Sequence, residues 1–183
     1  NYNISPETPM VFDIAAIQHI YGTNKNYNTG NDTYTFDPSK PFIKTIWDAG
    51  GIDTISVSNF YRDCIINLNP GSYSSIRYQR FTNTNGNEGD KNLGIAFNCV
   101  IENAIGGSSN DELIGNSADN SLDGGSGDDV MRGGAGNDIF DWNKDSRKGN
   151  DTFYGGIGDD IYVIDSINDR VIEYLNEGID TVW

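Results

Sequence analysis

A nine-residue phrase recurs eight times in the last third of this chain of 183 residues. The clearest copies are GGSGDDVMR (124–132), GGAGNDIFD (133–141) and GGIGDDIYV (155–163). A fixed short period is the sequence signature of stacked, near-identical coils, each of which buries its apolar side against the next. The period therefore predicts a solenoid in which successive copies lie one above another.

Each copy has a glycine-rich half at positions 1 to 6 and a short strand at positions 7 to 9. Position 8 is always apolar: Leu113, Leu122, Met131, Phe140, Phe153, Tyr162, Val171 and Val182. Position 6 is an acid in seven copies and an amide in one: Asp111, Asn120, Asp129, Asp138, Asp151, Asp160, Asp169 and Asp180. The fifth copy follows an insertion at 142–145, and the eighth follows Glu173 and Tyr174.

A metal ion is needed to hold such coils together. One apolar side chain per copy does not offset an ordering cost of about 1–2 kcal/mol per residue, which glycine increases. Stacking also brings like-charged carboxylates together. Ca²⁺ fits because it accepts about 6–8 carboxylate and carbonyl oxygens, whereas Mg²⁺ prefers octahedral sites with water. Zinc is excluded because the turns carry no histidine or cysteine.

The negative charge is concentrated on the repeats. The chain has a net charge of −15; residues 1–105 hold 10 acids and 7 bases, and residues 106–183 hold 17 acids and 5 bases. This balance argues against nucleic acid and anionic membranes as partners. Solvated acidic loops are the alternative explanation, but they require no fixed spacing. No apolar run is long enough for a membrane span.

The front of the chain predicts one helix and several short strands. Thr8 suits an N-cap, Pro9 a first helical position and Gly22 a helix end. The apolar residues Met10, Ile14, Ile17 and Tyr21 recur at helical spacing. Strands are predicted at 33–36, 42–47, 54–57, 64–68, 94–97 and 99–104, with a polar loop at 82–90.

The remaining chemically notable residues have structural explanations. His19 is the chain's one histidine, and we expect it to serve packing or hydrogen bonding. Cys64 and Cys99 lie in apolar, strand-like runs and are expected to be buried free thiols, although a single bridge stays open.

The repeat GGxGxDxUx is the calcium-binding repeat of RTX proteins. Four ordered segments, at 8–22, 46–60, 66–76 and 101–116, resemble the C-terminal domain of serralysin-type secreted zinc metalloproteases. Residues 164–183 look more like the long arrays of other RTX proteins. The resemblance implies an all-β fold, a right-handed parallel β-roll with one N-terminal helix. Its parts would be a linker and helix (1–23), a strand region (24–105) and the roll (106–183).

The resemblance also implies a set of Ca²⁺ ligands in the repeats. In this family each ion lies between two turns one coil apart, with positions 2, 4 and 6 of the lower turn facing positions 1, 3 and 6 of the upper turn. The first site is Gly107, Ser109 and Asp111 with Gly124, Ser126 and Asp129. The second is Asn116, Ala118 and Asn120 with Gly133, Ala135 and Asp138. Further sites join Gly125, Gly127 and Asp129 to Asp151, and Gly134, Gly136 and Asp138 to Gly155, Ile157 and Asp160. Asp169 and Asp180 continue the series, and Asn120 is expected to weaken its site.

The same family binds Ca²⁺ just before its repeats. The matching positions are Asn28, Gly30 and Asp32, then Asp48, Gly50, Gly51 and Asp53, then Val100 and Glu102. The alternative for 48–51 is a simple turn at a strand end. We also expect Asp129 to matter more than Asp123, which lies outside the ligand positions.

Catalysis is not expected from this chain. Serralysin-type hydrolysis needs the zinc motif HExxHxxGxxH, which is absent, so the chain needs no zinc. The resemblance implies a secreted, extracellular Ca²⁺ module that folds after type I secretion and supports an upstream domain. We expect a monomer. The alternatives are a structural or ligand-binding module of a large RTX adhesin or toxin and, third, an accessory module of an epimerase.

Overall fold

The computed structural model describes residues 5–78, 89–142 and 149–183. The predicted loop at 82–90 and the insertion of the fifth repeat lie largely outside these residues. The described chain contains one helix, α1, and fifteen strands. The elements are α1 (Val11–Tyr21), β1 (Thr33–Thr35), β2 (Lys44–Ile46), β3 (Thr54–Ser56), β4 (Ile65–Asn67), β5 (Tyr73–Ser74), β6 (Leu93–Ile95), β7 (Asn103–Ile105), β8 (Glu112–Ile114), β9 (Ser121–Asp123), β10 (Val130–Ala135), β11 (Ile139–Phe140), β12 (Thr152–Ile157), β13 (Ile161–Tyr162), β14 (Arg170–Ile172) and β15 (Thr181–Val182).

Successive repeat strands alternate between two parallel sheets. A seven-stranded sheet has the order β1-β3-β7-β9-β11-β13-β15, and a five-stranded sheet has the order β14-β12-β10-β8-β4. A third sheet, β2-β6-β5, contains the antiparallel pair β5–β6. Each coil of the repeats thus supplies one strand to each main sheet. The result is a parallel β-solenoid of about six turns, as the repeat predicted.

Strand pairing follows the repeat. Met131 pairs with Leu113, and Phe140 pairs with Leu122, both one coil of two copies apart. Phe153 pairs with Met131 across the coil that carries the insertion. All eight predicted repeat strands are present, because the same position of each copy meets its counterpart above and below.

The position-8 side chains form the interior of the roll. Six of them have no exposed surface: Leu113, Leu122, Met131, Phe140, Phe153 and Tyr162. The rings of Phe140 and Tyr162 stack with centroids 5.0 Å apart. Val171 is half-buried and Val182 is 54% exposed, so the apolar column is less covered in the last two copies.

The front strands extend the same solenoid. Ala104 of β7 pairs with Leu122 of β9, and Ile55 of β3 pairs with Ala104. In the other sheet, Ile66 of β4 pairs with Leu113 of β8. All of these side chains are fully buried. The apolar interior therefore continues without interruption from the strand region into the repeats.

Helix α1 begins later than the sequence predicted. Its N-cap is Met10, whose N–H donates to the Asp13 carboxylate at 3.0 Å. Thr8 does not cap the helix because its hydroxyl accepts from the Thr45 N–H at 2.6 Å and so joins β2 instead. Gly22 ends the helix as predicted.

The helix buries only part of the face predicted, together with Val11, which was not predicted. Val11 is fully buried and Ile14 packs against the core, whereas Ile17 and Tyr21 are 52% and 83% exposed. His19 is exposed as well.

One strand prediction was wrong and one strand was missed. The run 99–104 forms a strand at Asn103–Ile105 instead, since Asn98 has a φ of 61° and Cys99 donates to the Ala96 carbonyl in a turn. Strand β5 was not predicted. The prediction of buried, unpaired cysteines is confirmed for Cys64 and Cys99.

Candidate metal centre

Polar side chains that immediately precede the strands form two stacked columns. The short column precedes strands of the five-stranded sheet and contains Asp111, Asp129, Asp151 and Asp169. The long column precedes the strands of the seven-stranded sheet and contains Asp32, Asp53, Glu102, Asn120, Asp138, Asp160 and Asp180. The front acids and the repeat acids therefore occupy one equivalent structural position, although the sequence presents them as separate motifs.

In the short column, each carboxylate bonds the backbone one coil below it. The Asp111 N–H donates to Asp129 Oδ1 at 2.7 Å, and the Asp129 N–H donates to Asp151 Oδ1 at 2.8 Å. Asp169 receives the Asp151 N–H at 3.0 Å. At the base, Asp111 accepts from the N–H groups of Cys64 and Gly107.

The long column has the same hydrogen-bond pattern, in which a carboxylate accepts from the backbone one coil below. The Asn120 N–H donates to Asp138 Oδ1 at 2.6 Å, and the Asp138 N–H donates to Asp160 Oδ1 at 2.7 Å. Asp180 Oδ1 receives the Asp160 N–H at 3.0 Å. The pairs of acids inferred from the resemblance are thus brought together one coil apart.

The second carboxylate oxygen of three of these residues is buried without a partner. Asp53 Oδ2, Asp138 Oδ2 and Asp160 Oδ2 accept no hydrogen bond, and the residues are at most 1% exposed. Leaving a charged oxygen buried and unpaired is costly. A hard cation coordinated by these oxygens would remove that cost, so the donor set fits Ca²⁺.

Burial raises the pKa of the stacked carboxyls. The pKa rises to about 8 for Asp129 and about 7 for Asp138, mainly because burial disfavours the charged form, with further contributions from neighbouring acids. For Asp111, Asp151 and Asp160 the pKa rises to about 6, again mainly through burial. A bound cation would favour the ionised form and oppose this shift.

Backbone carbonyls face the gap between turns. A side-chain carbon on Gly127 (φ +127°) would lie 2.5 Å from the Ser109 carbonyl oxygen, and one on Gly136 (φ +112°) 2.6 Å from that of Ala118. The carbonyls at position 4 of the lower turn therefore point toward the turn above. Ser109 and Ala118 are the position-4 members of the first two ligand sets implied by the resemblance, and their role as ligands stays a prediction.

Asn120 behaves differently from the acids in its column. Its Oδ1 accepts from the Asn116 N–H at 2.8 Å, while its Nδ2 donates to the Glu102 carbonyl at 2.9 Å. The Asn116 amide in turn donates to the carbonyls of Leu68 and Ile101. Because these amides are satisfied by the protein, the geometry agrees with a weaker metal site here.

The front cluster gathers Asp32, Asp48 and Asp53, whose ligand oxygens lie within 4.8 Å of one another. The Asp32 N–H donates to Asp53 Oδ1, and the Asp53 N–H donates to Glu102 Oε2, both at 2.8 Å. The Tyr34 hydroxyl donates to Asp48 Oδ2 at 2.5 Å. Burial raises the pKa of Asp53 to about 6.

Two other members of the predicted front set are less closely tied to the cluster. Asn28 reaches it indirectly, since its side-chain amide donates to the Tyr34 hydroxyl at 3.1 Å. The Val100 side chain is 43% exposed.

Two further acidic clusters include residues that the repeat positions did not indicate. Asp165 joins Asp151 and Asp169, and Glu173 joins Asp160 and Asp180. In the first cluster, Asp169 Oδ2 already accepts from the N–H groups of Asp165 and Ser166. Asp165 stands at position 2 of the seventh copy, where the other copies carry no acid, and Glu173 stands in the insertion before the eighth copy, so the repeat pattern did not indicate either residue.

A second row of hydrogen bonds, an outer ladder at position 5, was not predicted. Asn110 accepts from the Asp128 N–H at 3.0 Å, Asp119 from the Asn137 N–H at 2.8 Å, and Asn137 from the Asp159 N–H at 2.9 Å. These side chains bond upward, whereas the column carboxylates bond downward. The recurrence of Asn or Asp at position 5 was the available signal.

Asp123, which lies outside the predicted ligand positions, has a structural role of its own. It is fully buried, and its Oδ1 accepts from the Gly125 N–H at 3.1 Å. Asp128, on the outer ladder, is exposed and offers a better comparison with Asp129.

The fold and these columns define a parallel β-roll built from nine-residue repeats. A family model described as peptidase M10 serralysin C terminal matches residues 12–181, so the chain belongs to that family. The match includes the irregular last two copies, which the sequence had associated with other RTX arrays.

Curated relatives agree with this family. Serralysin C of Dickeya chrysanthemi is 43% identical over 117 residues, which cover 57% of this chain and 22% of the relative. Serralysin of Proteus mirabilis is 37% identical over 115 residues, covering 56% and 21%. Serralysin of Photorhabdus luminescens is 43% identical over 122 residues, covering 60% and 23%. The chain spans about a fifth of the length of these relatives, and it matches their non-catalytic C-terminal domain.

Proposed function

We propose that this chain is a Ca²⁺-binding module that folds when ions fill the columns, and that it stabilises a longer, secreted metalloprotease-like protein. The observation that carries the proposal is the set of buried, unpartnered oxygens on Asp53, Asp138 and Asp160. They recur along one column, next to carbonyls that face the same gap. Several ions between successive turns would satisfy them together.

A requirement for Ca²⁺ would let the repeats fold outside the cell but not in the cytosol. Extracellular calcium modules have a Kd of about 10⁻⁴–10⁻³ M, well above the level of free ion in cytosol. Without ions, the acidic, glycine-rich repeats would be disordered. A disordered chain suits passage through type I secretion machinery, and ions outside the cell would then stabilise the folded state by mass action.

An upstream domain of the same polypeptide is the proposed partner. The relatives are serralysins, and this chain covers about a fifth of their length. No helix in the described residues is long and apolar enough to cross a membrane. The family match to residue 181 favours a protease-type parent over an adhesin or toxin, since the irregular last copies are part of the match.

A calcium titration of two neighbouring variants tests the proposal. Far-UV circular dichroism of the metal-free chain should gain β signal as Ca²⁺ is raised into the millimolar range. Asp129→Asn should weaken this response because it removes a carboxylate that contacts two successive turns. Asp128→Asn makes the same charge change one residue away and keeps an acceptor, so it should titrate like the parent chain.

Two results would contradict the proposal. One is a far-UV spectrum that does not respond to Ca²⁺. The other is an equal effect of the two substitutions, since only Asp129 lies in a column.

A further inference from the structure

Three carboxylates converge where the last two copies meet. The ligand oxygens of Asp160, Glu173 and Asp180 all lie within 4.8 Å of one another. Two oxygens that bind one Ca²⁺ at about 2.3–2.6 Å can be at most about 5 Å apart. A single ion can therefore reach all three side chains.

Two oxygens in this cluster are buried and unpartnered. Asp160 is 1% exposed, and its Oδ1 accepts from the Asp138 N–H at 2.7 Å, while its Oδ2 has no hydrogen-bond partner. Glu173 Oε2 is also buried without a partner. Among the described residues, no lysine or arginine forms a salt bridge with any of the three acids. The cluster thus lacks a positive charge.

Glu173 is held in place although it lies outside the nine-residue pattern. It follows β14, and its Oε1 accepts from the Tyr162 hydroxyl. The Gly155 backbone also bonds to its side chain, and burial raises its pKa. A side-chain carbon on Gly155 would overlap Asp160 Oδ2, Glu173 Oε1 and the Tyr162 hydroxyl oxygen. The glycine therefore leaves the space among these oxygens open.

We propose that Asp160, Glu173 and Asp180 form a three-carboxylate Ca²⁺ site in which Glu173 supplies a ligand from outside the repeat. This inference rests on the proposed calcium function and extends it. The sites between regular turns have at most two carboxylates, as at Asp138 and Asp160. Because ligand charge helps set calcium affinity, the third carboxylate makes this site tighter than the two-carboxylate sites between regular turns.

The test compares Glu173→Gln with Glu177→Gln. Both remove one charge from the same turn, and Glu177 accepts from the Tyr174 N–H, which glutamine can also do. Calorimetry with Ca²⁺ gives the affinity of the tightest class of sites. Luminescence of Tb³⁺, excited through tyrosine, is the second readout: the Tyr162 hydroxyl touches this site, and the Tyr34 hydroxyl touches the front cluster, whose emission should be the same in all of these variants.

We expect Glu173→Gln to remove one ion from the tightest class, to weaken the binding of that ion by about tenfold or more and to lower the sensitised emission. Glu177→Gln should stay within about twofold of the parent chain. Glu173→Asp keeps a carboxylate and should recover part of the lost affinity, which separates ligation from packing.

The inference is overturned if Glu173→Gln matches the parent chain in number and affinity of ions, or if Glu173→Asp is as weak as Glu173→Gln. In both cases the columns still bind Ca²⁺, so the proposed function survives. A parent chain that binds no Ca²⁺ would overturn both.

Discussion

The strand region at 24–105 and the repeats at 106–183 share one solenoid but differ in what fills it. The strand region has a conventional apolar core, with Val57, Leu68, Leu93, Ile95 and Ile101 all fully buried. The repeats bury one apolar side chain per copy and, beside it, a row of acids. Because the strand region also carries acids of the long column, we expect hydrophobic burial to supply more of its stability than in the repeats, and bound cations to supply more of the stability of the repeats.

Substitution of one buried leucine in each region should show the largest difference between the two regions. Leu93 in the strand region and Leu122 in the repeats are both fully buried. With Ca²⁺, replacement of either by alanine should cost about 2–5 kcal/mol of unfolding free energy. Without Ca²⁺, Leu93→Ala should still destabilise the remaining structure, while Leu122→Ala should have no further effect.

Denaturant unfolding with and without Ca²⁺ measures both variants. An equal cost for Leu122→Ala under the two conditions would mean that the repeats fold without ions.

Lower pH should partly replace Ca²⁺ in the repeats. Burial raises the pKa of Asp129 to about 8 and of Asp138 to about 7, from a usual value near 4. Their contribution to the stability of the metal-free fold is therefore fully present below about pH 4 and is lost as pH rises through about 7 to 8. In Ca²⁺ the trend should reverse, because ion binding needs the deprotonated carboxylates.

Thermal melts across pH check this, in buffers stripped of metal by resin because chelators weaken in acid. A metal-free chain that becomes more stable as pH rises from 5 to about 8 would oppose the account.

Of the features compared, the outer ladder at position 5 should contribute least to the stability of the fold. Asn137→Ala removes the acceptor for the Asp159 N–H at an exposed position and should cost about 1 kcal/mol. Asn137→Asp keeps an acceptor and serves as the control in calcium-saturated melts. A loss of stability as large as that caused by Asp129→Asn would mean that the outer ladder stabilises the repeats as much as the columns do.

The sequence predicted the parts of the fold that repeat. Strands β8 to β15 and the stacked acids followed from a nine-residue period, since one position fixes all its copies. The period could not predict Glu173, which lies in the insertion before the eighth copy, or Asp165, because position 2 carries no acid in the other copies. The local sequence also predicted the wrong N-cap for α1. Thr8 suits that role, but its hydroxyl accepts a hydrogen bond from Thr45 of a distant strand.

The equivalence of the front and repeat acids was also out of reach. Asp53 and Glu102 are 49 residues apart, and only the fold shows that they stack. The number of residues between successive members of the long column is not constant, so no fixed spacing in the sequence predicts that Asp53 and Glu102 stack.

Residue-resolved hydrogen exchange, with Ca²⁺ and after exhaustive EGTA dialysis, tests the central claim most directly. We expect backbone amides of the repeats, such as those of Asp129 and Asp138, to lose their protection without Ca²⁺, while those of β3, β4 and β6 keep a measurable part. Undiminished protection of the repeat amides after dialysis would contradict the claim that cations hold these coils together.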